Sequence, residues 1–497
     1  MSEITSVEKP KQPIFTLSLY AYHLRTDISK GPDNTWKEAE KLWEDLVELG
    51  NILHISALQD LKQELICYQQ GKYNTDAENP LKVNEQNLLR SSKDGTLYFK
   101  FRLTEYKDEL KGSLSPWLLH DTYFIDLTLF CNSLEQLVQL LNLRGLLLLK
   151  SIKASIGQTL FIYAEIPDYS HKELQIIADD CVVKLFGNQT PPSLTGQCKL
   201  LGNPIFEYKT RETEPSKQHH ILVWLRNHKT CKNTYQVSKK LMYFFCNYHK
   251  ILYAYNNSKS RFEKAEKLYS TLETNIEDFE KIAISNDRSK QLKDFKELLL
   301  QLPTKAIEYS KLLRNLADDE NTIATNIQNY ESLFNELRKL QDNDLSFLQD
   351  FIDVTKNLYI AQIQVYHRHL EPGTRLFQQL IDTIRDMVAI YQAEQEDKAQ
   401  KTKKELEEAA QEREKRLELV ITLVGTGFAV SSVSAAVMPN PSKFVNQNCT
   451  ANFLFDMIFH ILIGSIFASL IGLIAWNKII NKTKLASNNT EKVTHDN

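Results

Sequence analysis

Residues 302–337 read LPTKAIEYSKLLRNLADDENTIATNIQNYESLFNEL. Leu302, Ala306, Tyr309, Leu313, Leu316, Ile323, Ile327, Tyr330, Phe334 and Leu337 recur at alternating steps of four and three, with Glu320 at the one polar place in the series. That alternation is a heptad seam, so the stretch predicts a helix lying against another helix. Pro303 stands where a first helical turn tolerates it and predicts the start of that helix.

The pattern extends in both directions. Upstream, Val237, Leu241, Phe244, Tyr248, Ile251, Tyr255, Ser258, Phe262, Ala265, Leu268, Leu272, Ile276 and Phe279 form a second stripe, longer than an ordinary globular helix. Gly202 is the one glycine between Leu201 and Pro372, so little interrupts these helices. Downstream, a third segment runs from Leu345 to His369 and is expected to stop at Glu371-Pro372-Gly373. A fourth helix is expected from Thr374, amphipathic as far as Tyr391 and nearly all polar from Gln392 to Arg416. With no breaker before Gly425 it predicts a rod of roughly 95 Å ending at Met438.

Two uncharged runs follow. Leu419–Met438 reads LVITLVGTGFAVSSVSAAVM and Met457–Trp476 reads MIFHILIGSIFASLIGLIAW. Each has about the length of a membrane-spanning helix, which predicts a two-helix transmembrane hairpin. Lys401, Lys403, Lys404, Arg413, Lys415 and Arg416 precede it, Lys478, Lys482 and Lys484 follow it, and the loop from Pro439 to Asn452 carries only Lys443. The positive-inside rule then places both termini in the cytoplasm, in a plasma or inner membrane. Thr422, Gly425, Ala429, Ser432 and Ala436 share one face, with Thr426 beside them; Gly464, Ala468 and Gly472 do the same on the second run. Such faces either pack helices closely or line a water-filled path. Asp456 and His460 stand one turn apart at the outer end.

The first half reads as a mixed-sheet domain, α+β or α/β, over residues 14–230. Strands are expected at Ile14–Leu24, Thr96–Leu103, Tyr123–Phe130, Leu146–Ile152, Thr159–Glu165, Pro204–Tyr208 and His220–Leu225, all rich in aromatic and branched residues. Helices are expected at Thr35–Leu49, Ile55–Gln69, Ser133–Leu143 and His171–Phe186, and a polar loop at Gly71–Asp94. Beyond it the domain layout continues as a helical bundle or coiled coil at 231–373, a stalk at 374–418, spans at 419–438 and 457–476 around an outer loop at 439–456, and a tail at 477–497. Residues 1–13 are polar, expected to be disordered, and lack the apolar core of a secretory signal.

Composition narrows the function. The net charge of −3 gives no reason to expect a nucleic-acid partner. The seven cysteines fall in no paired pattern and read as small buried hydrophobes. No phosphate-binding loop, dinucleotide fingerprint, zinc-protease motif or nucleophile elbow is present, so no enzyme is expected. His219, His220, His367 and His369 have no partners at metal-ligand spacing and read as plain polar residues. The basic and aromatic mixture at Lys239–Arg261 reads as a core stripe with a solvated face.

The order of elements resembles the CorA-like family of magnesium channels: an α/β domain, long antiparallel helices, one very long helix entering the first span, a short loop, a second span and a basic tail. That resemblance implies a pentameric homo-oligomer in the lipid bilayer whose first spans line a pore for Mg or another cation. The family carries Gly-Met-Asn at the outer end of the first span; here Val437-Met438-Pro439-Asn440 stands there, and the resemblance gives Asn440, with Asp456, a place at the pore mouth. Two functions follow as expectations. One is a cation channel gated through the stalk; the other is a non-conducting membrane-anchored effector whose N-terminal domain binds a ligand or protein.

Overall fold

The computed structural model describes residues 15–27, 34–78, 85–92, 94–103, 109–141, 145–149, 151–166, 170–212, 214–227, 234–340 and 344–400, and short runs between 414 and 474. Residues 1–13, Thr426, Asn440, most of the loop at 439–456 and the tail at 477–497 lie outside them. The chain divides into two units, Met1–Ile384 and Arg385–Asn497.

The first unit is built on a mixed sheet, as its alternating aromatic and branched runs predict. Its strands are β1 (Phe15–Leu24), β4 (Glu85–Asn87), β5 (Leu97–Phe101), β6 (Leu110–Leu119), β7 (Thr122–Cys131), β8 (Gly157–Ile166), β9 (Ser193–Leu200), β10 (Asn203–Lys209) and β11 (His220–Asn227); β2 (Tyr68–Gln69) and β3 (Lys72–Tyr73) form a separate hairpin. The order is β4-β6-β7-β1-β8-β11-β10-β9, with β5 sharing the outer edge of β6. Among the described strands only β8 and β11 pair in parallel, Thr159 opposite His220. β1 is buried along nearly its whole length, which fits a central strand covered on both faces.

Leu17, Leu19 and Ala21 of β1 belong to the core formed with α1 (Lys41–Leu53), α4 (Leu134–Leu141) and α5 (His171–Phe186). α5 starts where its residues dictate, at a capping box between Ser170 and Glu173. α2 (Ser56–Gln59) and α3 (Leu61–Glu64) are single turns, so the single helix expected over Ile55–Gln69 is broken and its end becomes the β2–β3 hairpin. α1 begins later than expected because Thr35 bridges Thr26 and the Trp36 amide donates to the Arg25 carbonyl, which hold the lead-in extended. The strand expected at Leu146–Ile152 is instead a series of turns starting at Gly145, φ 67°. Leu147, Leu148 and Ile152 still reach the core, so apolarity there reflects burial and not a ladder. β6 was hidden by Gly112 and Pro116; Gly112 is required because a Cβ would lie 2.4 Å from the Phe99 ring.

The long helices follow. α6 (Thr234–Ala283) and α7 (Arg288–Arg338) have 50 and 51 residues, and Asp287 caps α7 by accepting from the Ser289 and Lys290 amides. Ring pairs Phe279–Phe295 and Phe244–Tyr330 at opposite ends show that they run antiparallel. α7 starts at Arg288 and carries Pro303 inside it, not at its start. The heptad seam is buried from Leu316 to Leu337, but its polar place is taken by Asp319, paired with Arg261, and not by Glu320. α8 (Ser346–Val354), a π-helical turn (Thr355–Ile360) and α9 (Ala361–Gln400) follow in continuous succession, with Pro372 inside α9. The helix therefore does not stop at Pro372-Gly373. Tyr255–Tyr359, Phe262–Tyr366 and Tyr309–Phe377 stack this third helix against the other two.

In the second unit the described residues from 414 onward are helical. Among the described residues no helix is long and apolar enough to cross a membrane. The transmembrane hairpin at 419–438 and 457–476 is therefore not supported, and the integral-membrane placement and ion-transport reading fall with it. Lack of charge is one requirement for spanning; sustained hydropathy over about 20 helical residues is another.

Candidate ligand cavity and its link to the first long helix

The β2–β3 hairpin turns through Gln70 and Gly71, both at positive φ (51° and 77°), as a two-residue hairpin of matching twist requires. It faces the lead-in to α1, and between them lies a cavity of about 830 Å³. Trp36 and Tyr73 supply its rings, Lys37 and Lys72 its cations, and Gln69, Gln70 and Asn74 its amides. The volume falls in the range of small-molecule sites. Glu40 also lines it but is engaged, accepting from the Tyr68 hydroxyl at 2.9 Å and from Lys62 at 3.1 Å. The indole N–H of Trp36 is buried and has no acceptor among the described residues.

The wall is fixed from behind. The Tyr73 and Tyr123 hydroxyls are 2.7 Å apart, and Tyr123 donates to Glu78 Oε1 at 2.5 Å. Glu78 Oε2 accepts from Arg25 Nε at 2.9 Å, with the two side chains only 6% and 0% exposed. A buried pair of this kind holds only with its remaining valences filled, and Tyr123 fills one. The network reaches further. The Arg25 amide donates to the Asp121 carbonyl at 2.9 Å, and the Asp121 carboxylate lies 2.6 Å from Lys250 Nζ on α6. Burial opposes ionisation of Asp121, but Lys250 more than offsets it and keeps the carboxyl below its ordinary range.

A second buried cluster roots α6 in the sheet. Glu207 Oε1 lies 3.1 Å from His220 Nε2 and 2.8 Å from Lys209 Nζ. Thr159 Oγ1 lies 2.8 Å from both His220 Nδ1 and His249 Nε2. Burial works to raise the Glu207 carboxyl, yet Lys209 and His220 hold it at about 2. Burial lowers His220 below its ordinary value and, with His220 and Lys209 adding to it, lowers His249 far more. A neutral His220 donating to ionised Glu207 must accept at Nδ1, so Thr159 donates there and accepts from His249 Nε2–H. His249 Nδ1 is then a bare lone pair, and it has no partner among the described residues. Gly157 lies against it: a Cβ would come within 2.4 Å of Nδ1.

Thr422, Ala429, Ser432 and Ala436 are exposed, Gly425 is half-buried, and Asp456 is buried. Among the described residues no group of three or more histidine, cysteine, aspartate or glutamate side chains could hold a metal ion. The described cysteines Cys67, Cys131, Cys181, Cys198 and Cys246 are free and buried, as their scatter implied. His220 is no plain polar residue but the centre of a sheet–helix joint. Sequence reasoning missed it, and missed the cavity, because their members are scattered from Arg25 to Lys250 with no common spacing. The polar stretch at Gly71–Asp94 was the one visible signal. No protein-family model matches the chain, and neither comparison, with curated proteins or with solved structures, finds a match. Nothing found in these comparisons bears on the resemblance to CorA-like channels.

Proposed function

We propose that this chain is a non-enzymatic effector whose N-terminal domain binds a small molecule and passes its ligation state to the helical bundle. The observation that carries the reading is the cavity between the β2–β3 hairpin and the α1 lead-in, where two rings, two lysines and three amides line a wall braced by the Arg25–Glu78 pair. The connected groups Tyr73, Tyr123, Glu78, Arg25, Asp121 and Lys250 supply a continuous physical route from that wall to α6.

The test is hydrogen exchange on the full chain with a panel of sugars, amino acids, nucleotides and organic acids. A compound that protects residues 34–40 and 69–75 is expected also to alter exchange in α6 around Met242–Tyr255. Protection at the cavity without any change in α6 removes the effector half of the reading. A panel that protects nothing removes both halves.

A further inference from the structure

The effector reading leaves the ligand's chemistry open, and the cavity's own groups narrow it. Of its three described charged side chains, Glu40 is saturated by Tyr68 and Lys62. Lys37 has only Glu38 at 3.8 Å, with both side chains largely exposed, a contact worth little. No carboxylate pairs with Lys72 among the described residues. The charge available to a guest is therefore positive. The rings available to it are Trp36 and Tyr73, and Tyr73 is held by its hydroxyl on Tyr123 and by an edge contact with Tyr68 at 5.7 Å. A ring held this way presents a fixed face for stacking. Gln70 takes a left-handed conformation that hairpin turns ordinarily give to asparagine or glycine, and an off-preference residue there is better explained by its amide than by the turn.

Resting on that reading, we infer that the cavity takes a small anionic ligand with a planar ring, of which a nucleoside monophosphate is the simplest form. The ring stacks beside Tyr73 and Trp36, and the phosphate lies toward Lys37 and Lys72. A neutral sugar would use the rings and amides but leave the two lysines idle. Inorganic phosphate would use the lysines and leave the rings idle.

Calorimetric titration of the full chain with AMP, UMP, adenosine and inorganic phosphate tests this. At least one monophosphate is expected to bind, and at least tenfold more tightly than adenosine or inorganic phosphate. Trp36→Leu removes one of the two rings and keeps apolar bulk, and is expected to weaken that binding about tenfold. Lys72→Gln is expected to weaken it several-fold and to reduce its salt dependence. Unchanged melting temperatures would show that both variants fold. The inference is overturned if neither monophosphate binds, if adenosine matches them, or if both variants bind like the parent. If a neutral sugar instead protects residues 34–40 and 69–75 from exchange, the ligand class is wrong and the effector reading survives. If nothing in the panel protects them, both fail.

Discussion

His249 and Gly157 show how far one pair of residues constrains this fold. The imidazole is fully buried, donates through Nε2 to Thr159, and turns its bare Nδ1 toward a glycine at φ 149°. Gly157→Ala puts a Cβ inside that contact and strains the backbone as well, so a loss of about 2–4 kcal/mol is expected in urea unfolding. Protonation is the other way to disturb the site. The folded chain holds His249 and His220 neutral, their values lowered by burial. An unfolded chain takes up those protons first, near pH ~6.5. Stability is thus fully present above that pH and falls as pH drops below it, by about 1.4 kcal/mol per unit for each histidine. His249→Gln is expected to remove one histidine's share of that slope, measured as urea midpoints from pH 7.5 to 5. An unchanged slope would place the titration elsewhere.

At the scale of elements, the third long helix overrides its own breakers. Pro372 removes a backbone donor, and Gly373 has the poorest propensity after proline, yet α9 continues through both. Packing explains it. A Cβ on Gly373 would come within 2.5 Å of the Tyr309 hydroxyl and 2.8 Å of the Tyr269 ring. Tyr309 also donates to the Leu370 carbonyl, within the turn that proline loosens. Gly373→Ala therefore sets two effects against each other. Helix propensity favours alanine by about 1 kcal/mol, whereas the close approach of two rings costs about 1–3 kcal/mol. The expected outcome is net destabilisation despite the better helix former, read from the thermal midpoint. The seam of α7 makes a related point. Asp319 and Arg261 place an ion pair inside an otherwise apolar and aromatic contact, where the cost of burying the carboxylate offsets the attraction of the guanidinium.

At the scale of the molecule, the sheet and the long helices are joined by side chains and not by chain connectivity alone. Lys250 pairs with Asp121, His249 reaches Thr159, and the Tyr22 hydroxyl donates to the Met242 carbonyl at 2.7 Å. These contacts tie the N-terminal part of α6 to β1, β8 and the β6–β7 turn. The boundary between the two compact units falls after Ile384. A chain ending after Gln400, which keeps α9 whole, is expected to unfold in one cooperative transition by calorimetry, with a midpoint within a few degrees of the full chain. Loss of the transition would mean that the first unit depends on the second.

Periodicity alone placed the long helices, because steps of three and four report a buried helical face wherever they occur, and Leu302–Leu337 carries them almost without interruption. Strands β1, β7, β8, β10 and β11 were legible for the same local reason, and the helix expected at His171–Phe186 has the bounds of α5. Tertiary structure decided what depends on neighbours far along the chain. It showed that Pro372 does not end a helix, that Asp319 and not Glu320 is the buried seam residue, and that Leu146–Ile152 is core without being strand. Across residues 419–476 absence of charge had been read as a membrane, whereas among the described residues no helix is long and apolar enough to cross one. The cavity and the histidine joint were invisible in the sequence because Arg25, Tyr73, Glu78, Tyr123, Thr159, Glu207, His220 and His249 meet only when the sheet orders its strands. Local periodicity encodes which face of an element is buried; which polar groups share that burial is set by the packing of one element on another.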